Sequence, residues 1–87
     1  MKKISRLEEI YSIPDNKLIE YNDIMFKIEK RKNDIYGNPL YSIKIYDMEG
    51  NNITVKYRSK LHRTYTSKGY GLFQSYNLSS NLKYILD

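Results

Sequence analysis

The chain has no cysteine, no tryptophan and no alanine, and valine occurs once. Without cysteine there is no disulfide, no thiolate metal ligand and no cysteine nucleophile, and nothing points to an oxidising compartment. Uninterrupted apolar runs stop at two or three residues, far short of the roughly 20 that span a bilayer. Met1-Lys2-Lys3-Ile4-Ser5-Arg6 is basic, but Glu8 and Glu9 follow where the apolar core of a signal peptide would stand. A cytoplasmic protein without a membrane partner is therefore expected. His62 is the only histidine, and Lys60 and Arg63 beside it disfavour its charged form. There is no H-E-x-x-H, no EF-hand spacing and no G-x-S-x-G. Asp15, Asp23, Asp34 and Asp47 fall at no motif spacing. No catalytic residue, metal or cofactor is expected.

What remains is 87 residues, enough for one domain, 1–87. A chain of this size buries only about 60–65% of its unfolded surface. A hydrophobic share of 40% with ten tyrosines is too apolar for disorder. Lys, Asn, Ile and Tyr make up 40 of the 87 residues, all with A/T-rich codons, which points to a low-GC genome or its phages and plasmids. The net charge of +5 is uneven. Residues 1–49 hold nine Lys/Arg and nine Asp/Glu; residues 50–87 hold six Lys/Arg and only Asp87. Such asymmetry points to an anionic partner for the second half.

Ser5-Arg6-Leu7-Glu8 fits a capping box, with Ser5 and Glu8 exchanging backbone hydrogen bonds. Leu7, Ile10 and Tyr11 follow on one face of a short helix that Pro14 stops. From Leu18 the period becomes two: Ile24, Phe26 and Ile28, then Tyr41, Ile43 and Ile45, then Ile53, Val55 and Tyr57 alternate with polar neighbours. Tyr36-Gly37-Asn38-Pro39 and Glu49-Gly50-Asn51-Asn52 supply turn chemistry between these runs. Three antiparallel strands are expected, roughly 18–31, 40–48 and 52–60. Ser67 to Gly71 reads as a loop, and Leu72 to Tyr76 as a short fourth strand. A final helix capped by Asn77 follows, with Leu78, Leu82, Ile85 and Leu86 forming one stripe. The fold class is α+β: a small antiparallel three- to four-stranded meander, with a short N-terminal helix and a C-terminal helix packed on one face. The expected core is Leu7, Ile10, Ile24, Phe26, Ile28, Tyr41, Ile43, Ile45, Ile53, Val55, Leu78, Leu82, Ile85 and Leu86.

This alternation places Lys27, Lys44, Tyr46, Lys56 and Arg58 on the opposite sheet face, with Glu29 the main acid. Cations neutralise phosphates and a tyrosine ring stacks on a base, so the face reads as a nucleic-acid platform. It reads equally as a solvated face whose lysines discourage edge pairing. The denser signal is Lys56 to Lys68, with five Lys/Arg, one His, two Tyr and no acid. The candidate partner-binding residues are Lys44, Tyr46, Lys56, Tyr57, Arg58, Lys60, His62, Arg63, Tyr65, Lys68 and Tyr70. Lys68-Gly69-Tyr70-Gly71 resembles the opening of the aromatic signature of the RNA-recognition motif. The resemblance covers four residues and departs at Leu72 and Ser75, where aromatics should stand, and the order of elements departs too. The segment reads instead as a plain tight turn, or as a Gly-Tyr-Gly loop presenting the Tyr70 ring to a partner.

Three functions are compatible with these features. The size, charge and lack of catalytic residues resemble phage and mobile-element accessory proteins, anti-CRISPR inhibitors among them. Such a protein docks on a host nucleoprotein complex, through its acidic patches or its bound nucleic acid. Ten tyrosines exceed what so small a core can bury with hydroxyls satisfied, and tyrosine and arginine dominate interface hot spots. The second function is direct DNA or RNA binding. The third is a metal-independent ribonuclease resembling small mRNA-cleaving toxins, with Lys60, His62, Arg63 and Tyr65 as candidates. A homodimer through an edge strand is compatible with all three.

Overall fold

The structure, a computed structural model, describes residues 1–64, 73–74 and 78–87, with residues 62–64 and 74 as backbone only. In chain order the elements are β1 (Lys2–Lys3), a first 3-10 helix (Leu7–Ser12), β2 (Ile19–Tyr21), β3 (Ile24–Asn33) and β4 (Pro39–Tyr46). A second 3-10 helix (Thr54–Tyr57), α1 (Arg58–Thr64), β5 (Phe73–Gln74) and α2 (Leu78–Leu86) complete the chain. The strands form one sheet in sequence order. β2, β3, β4 and β5 are antiparallel neighbours, while β1 runs parallel to β2. The α+β meander expected from the alternating pattern is present, and β1 makes the sheet mixed. Two residues are too few to show a period, so β1 left no signal of its own.

Three local expectations change. The Leu7–Ser12 helix is capped by Glu9, whose Oε2 accepts the N–H groups of both Ser5 and Arg6 at 3.0 Å; Ser5 and Glu8 do not form the cap. These hydrogen bonds hold the Glu9 carboxyl below its usual range. The expected strand 18–31 is two strands joined at Asn22-Asp23, with φ of 50° and 61°. A two-residue hairpin of this twist needs the left-handed region twice, and Asn and Asp tolerate it best after glycine.

The third change is the largest correction. Residues 52–60 do not form a strand. Asn52 bridges Tyr46 and the Ile53 N–H donates to the Ile45 carbonyl at 2.8 Å, so a hairpin begins. The Thr54 hydroxyl then accepts the Ile45 N–H at 2.9 Å and donates its own proton to Asn52 Oδ1 at 2.7 Å. A side chain thus takes the Ile45 N–H that a backbone carbonyl of a continuing strand would have accepted, and the chain turns into helix. The same segment carries a helical spacing, Ile53, Tyr57 and Leu61 at i, i+4 and i+8. Leu61 is buried, and Ile53 and Tyr57 pack against the core. Val55, expected inside, is 64% exposed.

The buried cluster joins Ile19 and Tyr21 of β2, Phe26 and Ile28 of β3, and Ile43 and Ile45 of β4 to Leu7 and Ile10 of the first helix. Leu78, Leu82 and Ile85 of α2 belong to the same cluster. The pairings Ile19↔Phe26, Phe26↔Ile45 and Ile28↔Ile43 put the sheet contributions on one face. Ile4, Ile19, Tyr21, Leu61 and Phe73 are core residues outside the expected set, as are Met25 and Leu40 among the buried residues. Tyr21 is buried with its hydroxyl donating to the Asp87 carboxylate at 3.0 Å. Burial and that neighbouring carboxylate push its phenol up. The Asn77 cap and the 67–71 loop lie outside the described residues.

Candidate functional site

Opposite the core, β3 and β4 bring Lys27 and Lys44 into direct register, with Met25 beside Tyr46 and Glu29 beside Ser42. The expected pair Lys44 and Tyr46 is therefore on this face with Lys27. Glu29 sits at its centre. Its Oε1 takes the Lys44 ammonium at 3.1 Å and the Lys27 ammonium at 3.8 Å, and its Oε2 the Arg31 guanidinium at 3.5 Å. The Lys44 hydrogen bond, then the charges of Lys44, Lys27 and Arg31, hold the Glu29 carboxyl below its usual range. The Lys27 ammonium lies 5.9 Å from the Tyr46 ring centre, a cation–π distance. Three cations shared by one carboxylate leave an excess of positive charge on this face, with the exposed Arg31 at its outer end.

The other expected members of that face are elsewhere. Lys56 and Tyr57 lie on the second 3-10 helix, and Arg58 and Lys60 on α1. Tyr57 packs on the core, while Lys56 and Arg58 are exposed. The Lys60 ammonium donates to the Ile85 carbonyl at 3.5 Å and lies 5.9 Å from the Tyr84 ring. It thereby caps a carbonyl in the last turn of α2, where a cation meets the negative end of the helix dipole. Lys60 is a structural cation as well as a surface one. The backbone of His62 and Arg63 lies in α1; Tyr65, Lys68 and Tyr70 lie outside the described residues. The basic run is thus helical from Arg58 to Thr64 and does not extend the sheet. Among the described residues no group of three or more His, Asp or Glu could hold a metal ion.

Among the described residues the most exposed apolar side chains lie where the sequence patterns gave no candidate. Ile35 is 91% and Tyr36 82% exposed, in the turn Asp34-Ile35-Tyr36-Gly37-Asn38 between β3 and β4. Asp34 Oδ1 accepts the N–H groups of Tyr36 and Asn38, both at 2.9 Å, and the Asp34 N–H donates to the Asn38 carbonyl at 2.8 Å. Gly37 takes φ of 85°, which L side chains avoid. The signal was available: two large apolar residues in a turn where polar ones are the rule. Of the seven described tyrosines, Tyr11, Tyr36 and Tyr84 are exposed.

The described surface thus combines an exposed apolar hairpin tip with a separate basic helix. Residues 19–87 match the model of the Staphylococcus phage terminal repeat-encoded protein TreK family. The match covers most of the chain, and the protein belongs to that phage family. No curated protein and no solved structure gives a significant match. Among the described residues no helix is long and apolar enough to cross a membrane.

Proposed function

We propose that this chain is a non-enzymatic phage accessory protein that acts in the host cytoplasm. It docks on a host nucleic-acid-handling complex and inhibits or modulates it, in the manner of anti-CRISPR and other anti-defence proteins. The observation that carries this reading is Val55, 64% exposed, next to the exposed cations Lys56 and Arg58. An apolar side chain held out among cations suits a protein surface with an apolar dimple and an acidic rim. Met48, exposed in the preceding turn, adds to the apolar area. Lys27 and Lys44 on the sheet face, in contrast, are tied to Glu29. Membership of a phage family supports a host target.

The test is capture by the tagged protein from staphylococcal lysate, with and without nuclease. The expected result is one specific protein that survives nuclease treatment and is lost with Val55→Asp. Capture that depends wholly on nucleic acid, or no capture, overturns the reading.

A further inference from the structure

The distal end of the β3–β4 hairpin combines three features. The first is the exposed pair Ile35 and Tyr36 at its tip. The second is rigidity. Backbone and side-chain hydrogen bonds converge on Asp34, from the N–H groups of Tyr36, Gly37 and Asn38 and the Asn38 side chain, and from Asp34 to the Asn38 carbonyl. The tip is therefore ordered before any partner arrives, and binding loses less conformational entropy. The third is charge. Lys30, Arg31 and Lys32 are consecutive and exposed, and between Glu29 and Asp47 the only acid is Asp34, already engaged in the turn.

The cations stand on both faces of the ribbon. Lys30 pairs with Tyr41, in step with the core-facing residues, whereas Arg31 reaches Glu29 on the opposite face. Ordinary alternation brings this about, since Lys30 follows the parity of Phe26 and Ile28 and Arg31 that of Lys27 and Glu29. An acidic patch on a protein meets one face of a ribbon. Two phosphate backbones flanking a groove, or a strand wrapped around the ribbon, meet both. Apolar wedges and rings at such a tip insert between or stack on bases.

We infer that the Lys30–Asn38 end of this hairpin is a nucleic-acid-contacting prong, with Tyr36 and Ile35 set against base faces and Lys30 and Arg31 on phosphates. The prong is separate from the protein-docking surface around Val55, and each can be lost without the other.

The experiment uses the full chain and fluorescently labelled mixed-sequence DNA, one duplex and one single-stranded, read by anisotropy across a salt series. Binding is expected to weaken with salt, with a log–log slope on duplex near −2.7 if three phosphates are neutralised. Lys30→Gln with Arg31→Gln should reduce that slope by about 1.8. Tyr36→Ser should weaken binding at least about fivefold, the low end for loss of one stacked base. Tyr36→Leu, which keeps bulk and removes the ring, covers the case in which Tyr36→Ser alters the melting temperature. Preference for duplex identifies a groove wedge, and preference for single strands identifies base stacking; both support the prong. No binding to either DNA at low salt overturns it. So does binding undiminished by both sets of variants, which would place nucleic acid on the 56–63 run. Loss of a captured host protein with Tyr36→Ser, while neither DNA binds, makes the prong a protein contact and also overturns it.

Discussion

Strand β4 is entered and left through turns of one chemistry. Asp34-Ile-Tyr-Gly-Asn38 precedes it and Asp47-Met-Glu-Gly-Asn51 succeeds it. In the second turn Asp47 Oδ1 accepts the N–H groups of Glu49 and Asn51 at 3.0 and 2.9 Å, and the Asp47 N–H donates to the Asn51 carbonyl at 3.0 Å. Gly50 takes φ of 90° as Gly37 takes 85°. The outcomes differ completely. After Asn38 the chain returns along the whole of β3; after Asn51 it pairs for two residues and leaves as helix. An identical turn reverses the chain but does not decide how far pairing runs. The residues beyond the turn decide that. Leu40, Ile43 and Ile45 are buried as strand residues, whereas Leu61 is buried only if residues 54–64 are helical. Tertiary burial outweighs local β propensity here.

The strongest way to break this contrast is at Leu61. Leu61→Ala should cost about 2–4 kcal/mol in denaturant unfolding, as for other buried leucines. Val55→Ala should fall within about 0.5 kcal/mol, as an exposed site does. A strand over 52–60 would reverse that order, because Val55 would then be core and Leu61 would lie beyond it. Next comes Thr54→Val, which keeps the shape and removes the hydroxyl that accepts the Ile45 N–H. A loss of about 1–3 kcal/mol is expected. A neutral result would mean that the second hairpin ends for reasons other than this side chain. The smallest effect concerns acid. Hydrogen bonds from the Asn51 side chain and backbone hold the Asp47 carboxyl below its usual range. A carboxylate with a lowered folded-state pKa stabilises at pH above its ordinary value, and that stabilisation is lost as pH falls through the lowered value. Thermal stability measured from about pH 5 to 2 should therefore fall less steeply for Asp47→Asn than for the wild type.

The turns and the alternation of β3 and β4 were legible because glycine, asparagine and a two-residue period each have one local meaning. The stripe of α2 was legible for the same reason, and Leu78, Leu82 and Ile85 are all buried. The 53–61 segment was not, because Ile53, Val55 and Tyr57 fit a period of two while Ile53, Tyr57 and Leu61 fit one near four. Nothing local chooses between them; the Thr54 hydroxyl and the space for Leu61 do. The candidate site suffered accordingly. Lys44 and Tyr46 share a face, but Lys56 and Arg58 do not join them. Lys27 and Lys44 could be placed from parity alone, whereas their neutralisation by Glu29 depends on cross-strand register. Lys60 looked like a free surface cation because α2, 25 residues away in sequence, supplies its carbonyl.

Tyr11 and Ser79 lie 68 residues apart, yet the Ser79 N–H donates to the Tyr11 hydroxyl at 3.2 Å, and Asp87 receives the Tyr21 hydroxyl. These contacts have a consequence for the order of synthesis. Strands β2 to β4 and their turns close over short sequence distances and can form as soon as they leave the ribosome. The first helix then has only the sheet to rest on until the segment from Leu78 onward has been made. During that interval the apolar side of the sheet stands open, and the nascent chain is at its most vulnerable to association with other chains.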